Sequence, residues 1–123
     1  MSLKDIQLPS TLTGISKGCF DEAISLTSVV VPENVSTIDS HAFCSCSSLK
    51  QVTLPASLTA IGDSVFSNDK ALDTFTMHCS VPPTLGKDVF PQYTAKLIVP
   101  AGAAEAYRNH DIWGRFATIT EEE

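Results

Sequence analysis

The sequence predicts a solenoid: an α/β-type superhelix of short stacked coils. One face should be a parallel β-sheet, the other short turns or helical segments, and the C-terminal end a helical cap. Three observations predict it. Leu3, Leu26, Leu49 and Leu72 stand 23 residues apart. Pro9, Pro32 and Pro55 keep the same step, as do Ile15, Ile38 and Ile61, and Phe20, Phe43 and Phe66. Within a period, runs such as Gln51-Val52-Thr53-Leu54 alternate polar and apolar, the mark of a strand with one buried face. A fixed step of this length signals a stacked array, because one unit alone cannot bury its apolar side.

The third copy gives the elements in order. Gln51–Leu54 is the strand, and Pro55 stops it because proline has no N–H to donate. Leu58 and Ile61 point back into the core as the chain turns. Gly62-Asp63-Ser64 reads as a turn or short helical start, with Asp63 or Ser64 available as a cap. Val65 and Phe66 close the coil, and Ser67-Asn68-Asp69-Lys70 loops to Leu72 and the next strand. The matched columns are Ile6, Val29, Val52 and Phe75; Leu8, Val31, Leu54 and Met77; and Leu12, Val35, Leu58 and Val81. The fourth copy slips by one residue near Pro82-Pro83, after which Leu85–Phe90 matches Ile61–Phe66 at a step of 24.

Leu49-x-x-Val52-x-Leu54-Pro55-x-x-Leu58-x-x-Ile61-Gly62-x-x-Val65-Phe66 resembles the BspA-like, or Treponema pallidum-type, leucine-rich repeat. That family usually has Ala before the Phe and Cys three residues after it. The second copy fits with Ala42, Phe43 and Cys46, whereas Cys19, Val65 and Val89 replace the Ala elsewhere. The resemblance covers residues 3–100, and the C-terminal segment is similar to the closing segment of Bacteroides members. It implies a leucine-rich-repeat solenoid in a cell-surface or secreted protein, acting in adhesion or protein binding without catalysis.

One domain is expected over 1–123. Its repeats fall at about 3–25, 26–48, 49–71 and 72–94, with a last strand and cap at about 95–119 and an acidic tail at 120–123. Lys96–Pro100 is read as that last strand, and Ala101–Arg108 is rich in helix formers. Ile112, Trp113 and Phe116 supply the apolar surface of a lid over the last coil, with Trp113 as its anchor. The Glu121-Glu122-Glu123 end is read as a solvated tail. No equivalent lid precedes Leu3, so the first coil's edge is expected to be open. That suggests a fragment of a longer protein or self-association through the first repeat.

Apolar residues are 43% and charged residues 18%, ordinary for a soluble globular chain. The net charge of −6, with scattered Lys and Arg, argues against nucleic acid or anionic lipid as partner. No apolar run approaches the roughly 18 residues that span a bilayer. The start lacks the apolar stretch of a secretory leader, so the protein is either cytoplasmic or has its leader removed or upstream, and the surface location that the resemblance implies needs the latter.

Candidate chemistry is sparse. Cys19 shares the small column with Ala42 and Val65, and it and Cys46 read as packed thiols. Cys44 and Cys46 are poorly spaced to bridge each other, and bridges between coils stay open. His41, Cys44 and Cys46 do not make a convergent four-ligand set, so no metal and no cofactor is expected. His78 and Cys79 are adjacent on an extended chain and point to opposite faces, which disfavours a dyad. Gly62-Asp63-Ser64 superficially resembles a hydrolase nucleophile turn but lies in the repeat's own turn. No catalytic residue is assigned.

The outward positions of the sheet are the candidate binding face. By alternation they are Asp5 and Gln7, Ser28 and Val30, Gln51 and Thr53, Thr74 and Thr76, and Lys96 and Ile98. The face is flat, small and mostly polar. It lacks the Trp, Tyr and Arg that dominate binding hot spots. A host or bacterial protein is the expected partner; a purely structural spacer and, remotely, a hydrolase are the alternatives.

Overall fold

Val29, Val52, Phe75 and Leu97 hold equivalent places in successive copies, and in the computed structural model of the protein they form one buried line. The structure describes residues 5–8, 11–18, 20, 25–90 and 93–121, and of residues 5–7 the backbone. The strands that carry this line are β1 (Asp5–Gln7), β3 (Ser28–Val30), β5 (Gln51–Leu54), β7 (Thr74–Met77) and β9 (Lys96–Val99). They pair in parallel, each with the strand one period away. Alternation does what the pattern requires: Val52 and Leu54 are buried while Gln51 is exposed.

Phe43 and Phe66 are fully buried and Phe90 nearly so. Their rings run in single file behind the sheet. Phe20 stacks on Phe43 at 5.3 Å, Phe43 on Phe66 at 5.8 Å and Phe66 on Phe90 at 6.0 Å, all within 10° of parallel. Identical residues at identical places stack because each coil repeats the backbone of the one below. Leu3, Pro9 and Cys19 lie outside the described residues.

The side opposite the first sheet holds more order than turns. β2 (Gly14–Ile15), β4 (Thr37–Ile38), β6 (Ala60–Ile61) and β8 (Thr84–Leu85) form a second parallel sheet, four strands wide and two residues deep. Hydroxyls lace it. The Ser36 hydroxyl donates to the Thr13 carbonyl (3.4 Å), that of Thr59 to Ser36 (3.0 Å) and that of Thr84 to Thr59 (3.3 Å).

Of the two readings of Gly62-Asp63-Ser64, the turn is the one present. Gly18, His41, Ser64 and Asp88 occupy one column and share left-handed φ values of +67°, +62°, +56° and +54°. A left-handed residue breaks a right-handed helix at its first turn. The corner it makes turns the following Phe N–H toward the next coil. Phe43 donates to the Val65 carbonyl at 3.1 Å and Phe66 to Val89 at 2.9 Å. Asp63 caps no helix of its own; its Oδ1 accepts the Lys87 N–H one coil on, at 2.8 Å.

The fourth coil departs from the rule. Val81, expected in the buried column of Val35 and Leu58, is 76% exposed. His78 stands where Pro32 and Pro55 stop earlier strands, and this coil carries one extra residue. The chain bows outward over 78–83, with Val81 on the bow and Cys79 buried beneath it.

Among the described residues, helix is confined to the closing region: α1 (Ala104–Arg108) and a 3₁₀ turn at Trp113–Arg115. Lys96–Val99 is followed by a further strand, β10 (Thr118–Glu121), which pairs in parallel with β9 and makes the first sheet six strands wide. The start of the supposed acidic tail is thus structured. Ile119 falls level with Leu97, and the Glu121 carboxylate accepts the Ala104 N–H at 3.2 Å. Glu121 stands where Val99, Met77 and Leu54 are buried, and its charge is used at the start of α1 instead.

Candidate functional site

Register builds the outer face of the six-stranded sheet. Asp5, Ser28, Gln51, Thr74 and Lys96 lie level across neighbouring strands, and so do Gln7, Val30, Thr53, Thr76 and Ile98. The ten expected residues therefore fall into two columns, with Asp5 and Gln7 placed at their register positions. Gln51 and Lys96 are exposed; Ser28, Thr53, Thr74, Thr76 and Ile98 are half-buried by their neighbours. Val30 is 61% exposed, one of two large apolar side chains so open among the described residues.

β10 extends both columns with Thr118 and Thr120, both exposed. Sequence reasoning missed them. The signal was present, since Thr118-Ile119-Thr120 repeats the pattern of Thr74-Phe75-Thr76, but Glu121 in the next core position hid the strand. Among its described side chains the face offers serine and threonine hydroxyls, the Gln51 amide, the Lys96 ammonium and the open Val30. Such a surface is able to form scattered hydrogen bonds and van der Waals contact with a flat partner.

A second concavity lies beside the bow of the fourth coil. This cleft, of about 430 Å³, is walled by Leu58, Thr59, His78, Val81, Pro82 and Pro83. The closing region holds its floor. The Tyr107 hydroxyl donates to the Cys79 carbonyl at 2.7 Å, and the Trp113 indole N–H donates to the Pro83 carbonyl at 3.0 Å. Both rings are fully buried. Trp113 therefore serves as the anchor of the closing region.

The other singled-out groups are placed plainly. Cys79 is buried with Sγ 3.3 Å from the Tyr107 hydroxyl, while His78 is exposed. Burial pushes the Cys79 thiol up from its ordinary value, and the Tyr107 hydrogen bond offsets this only in part. Burial likewise raises the Tyr107 phenol, and Cys79 adds to the rise. Both groups stay protonated at neutral pH, which suits packing and hydrogen bonding, not nucleophilic attack.

Cys46 is buried with its thiol directed at the Phe20 carbonyl (3.2 Å), and its N–H donates to the buried Asp69 carboxylate at 2.6 Å. That carboxylate ties two coils together, a role no sequence motif announced. Cys44 and Cys79 are free thiols. His41 is exposed at the left-handed corner, and Cys44 is half-buried. Among the described residues, no group of three or more His, Cys, Asp or Glu is arranged to hold a metal ion. Ser64 lies at the left-handed corner, with its N–H bonded to the Lys87 carbonyl. Among the described residues no helix is long and apolar enough to cross a membrane.

Comparison with known proteins agrees with this architecture. No curated protein matches the chain. A family model described as a BspA type leucine-rich repeat region, of six copies, matches residues 1–96. The match spans the coils from β1 to the start of β9, and a stack of parallel strands with a period of 23 is what such repeats build. The chain belongs to the BspA-type leucine-rich-repeat family.

Proposed function

We propose that this chain is the protein-binding module of a cell-surface or secreted protein, and that it takes its partner on the outer face of the six-stranded sheet. One observation carries this reading: the two straight columns that run from Asp5 to Thr118 and from Gln7 to Thr120, with Val30 open among them. A repeat solenoid characteristically binds along such an extended face. The leucine-rich-repeat fold is typically a non-catalytic scaffold, and the Cys46 and Cys79 thiols are buried in packing. The surface and adhesive role follows from the family, whose members are associated with surface proteins.

The test uses an array of host matrix and cell-surface proteins probed with the whole chain. Wild type is expected to bind at least one of them. Joint replacement of Gln51, Thr53, Thr74 and Thr76 by Ala should weaken that binding tenfold or more, equivalent to about 1.4 kcal/mol, with Tm held near wild type. Unchanged binding would move the site elsewhere and favour a spacer role for the sheet. Labelling of intact producer cells by an antibody to the chain tests the location separately.

A further inference from the structure

We infer that His110 is an acid-sensitive latch for the closing region: protonation of its imidazole releases the turn that seats Trp113 in the core. His110 Nδ1 accepts two backbone N–H groups, from Ile112 at 3.1 Å and from Trp113 at 3.2 Å. Its carbonyl accepts a third, from Gly114 at 3.0 Å. A side chain that accepts from positions two and three residues on, with its carbonyl bonded four residues on, behaves as a helix N-cap. Asp, Asn, Ser and Thr usually do this, and none of them changes charge near neutrality.

Histidine does. Nδ1 accepts only while the ring is neutral, with its proton on Nε2; the imidazolium has two donors and no acceptor. Protonation therefore removes the acceptor from both N–H groups. It also places a positive charge at the positive end of a helical turn. The sign follows from the hydrogen bonds: the latch is closed while the ring is neutral and opens when the ring takes up a proton, so acid weakens it.

The elements packed around the turn carry charges of both signs. α1 packs on the turn and carries Glu105 and Arg108, while β10 packs on α1 and carries Glu121. Arg108 donates to the Ile119 carbonyl, and Glu121 accepts the Ala104 N–H. Asp111 and Arg115 belong to the turn itself, with Arg115 Nε bonded to the Asp111 carbonyl. Asp111 is exposed, so water screens its carboxylate from the ring. In the coil beneath, Lys87, Asp88 and His78 are exposed.

The latch matters because of what it holds. Trp113 contacts Phe90 with ring centroids 5.0 Å apart, and its indole bonds the Pro83 carbonyl. Phe116, at the end of the same turn, meets Phe75 and Phe90. Opening the turn uncovers the end of the aromatic file and frees one foot of the 78–83 bow.

The chain has one tryptophan, so Trp113 reports on its own seat. Between about pH 7.5 and about pH 5.5, above the main carboxylate range, wild-type emission should shift to longer wavelength. Over the same interval Tm should fall by about 4 °C. His110→Asn supplies a neutral acceptor, so it should keep wild-type emission at neutral pH and show no shift on acidification. His41→Asn and His78→Asn, which leave the latch untouched, should respond as wild type does. Flat wild-type emission and Tm, an undiminished shift in His110→Asn, or loss of the shift in His41→Asn or His78→Asn would each overturn the inference.

Discussion

The coils spanning 26–71 and the fourth coil with the closing region, together spanning 72–121, are held by different means. In the regular coils, backbone meets backbone. Every corner donates to the next, hydroxyls bridge neighbouring carbonyls, and a glycine or small side chain lets the coils approach. Rings stack nearly parallel, Phe43 on Phe66 at 4°. In the closing region side chains take over. Tyr107 and Trp113 reach across to the carbonyls of Cys79 and Pro83, and rings meet edge to face, as Phe90 does with Phe116 at 81°. A repeat is able to satisfy its polar groups through its neighbour's identical backbone. The last coil has no such neighbour within the described chain and must use aromatic donors and a carboxylate.

The sharpest way to break this contrast is to remove one large ring from each region. Phe43→Ala and Trp113→Ala should each cost about 3–5 kcal/mol in urea unfolding. The pattern should differ by hydrogen exchange. Loss of Phe43 exposes amides on both sides of its coil, because each coil is coupled to two neighbours. Loss of Trp113 exposes amides of the 78–83 bow and the closing turn first, leaving β3 and β5 protected. Equal deprotection of all strands in both variants would erase the distinction.

Next is the close approach of backbones. A Cβ at Gly62 would lie 2.8 Å from the Ser40 nitrogen, with more backbone of the same coil just beyond. Gly62→Ala should therefore destabilise by about 1–3 kcal/mol through overpacking that no side-chain rotation relieves. The matching polar test in the closing region is Tyr107→Phe, which deletes the hydroxyl that serves the Cys79 carbonyl. Its expected cost is about 1 kcal/mol, read as a drop in Tm without loss of fold. The smallest effect has the opposite sign. Ser64 is held at φ +56° in the column where Gly18 stands. Ser64→Gly should gain about 0.5 kcal/mol, the left-handed penalty less the added freedom of the unfolded chain.

The regular region was legible in the sequence because its physics is periodic. Phe20, Phe43 and Phe66 announced their file, and alternation in Gln51–Leu54 assigned inward and outward faces, hence the candidate face from Asp5 to Ile98. The second sheet was not legible, because strands of two residues such as Ala60–Ile61 are too short to show alternation. The left-handed corner was hidden by its residue types: Gly18 suggests such a φ, but Ser64 does not. Val81 was misplaced because its column is set by spacing alone, whereas its position is decided by an extra residue and by two aromatic donors some thirty positions away. β10, with Thr118 and Thr120, escaped because a charged residue ended its apolar pattern. His110 gave no motif at all; its role arises from a turn geometry that only coordinates display.

The extra residue of the fourth coil has a consequence for design. Although the step from Phe66 to Phe90 is 24 positions instead of 23, Phe90 still reaches its place 6.0 Å from Phe66. The bow absorbs the surplus length outside the stack, so Thr84 and Leu85 still pair with Ala60 and Ile61. Positions 80–82 are thus a natural socket for grafted sequence, where a foreign peptide spliced between Cys79 and Pro83 would be displayed with both ends already clamped.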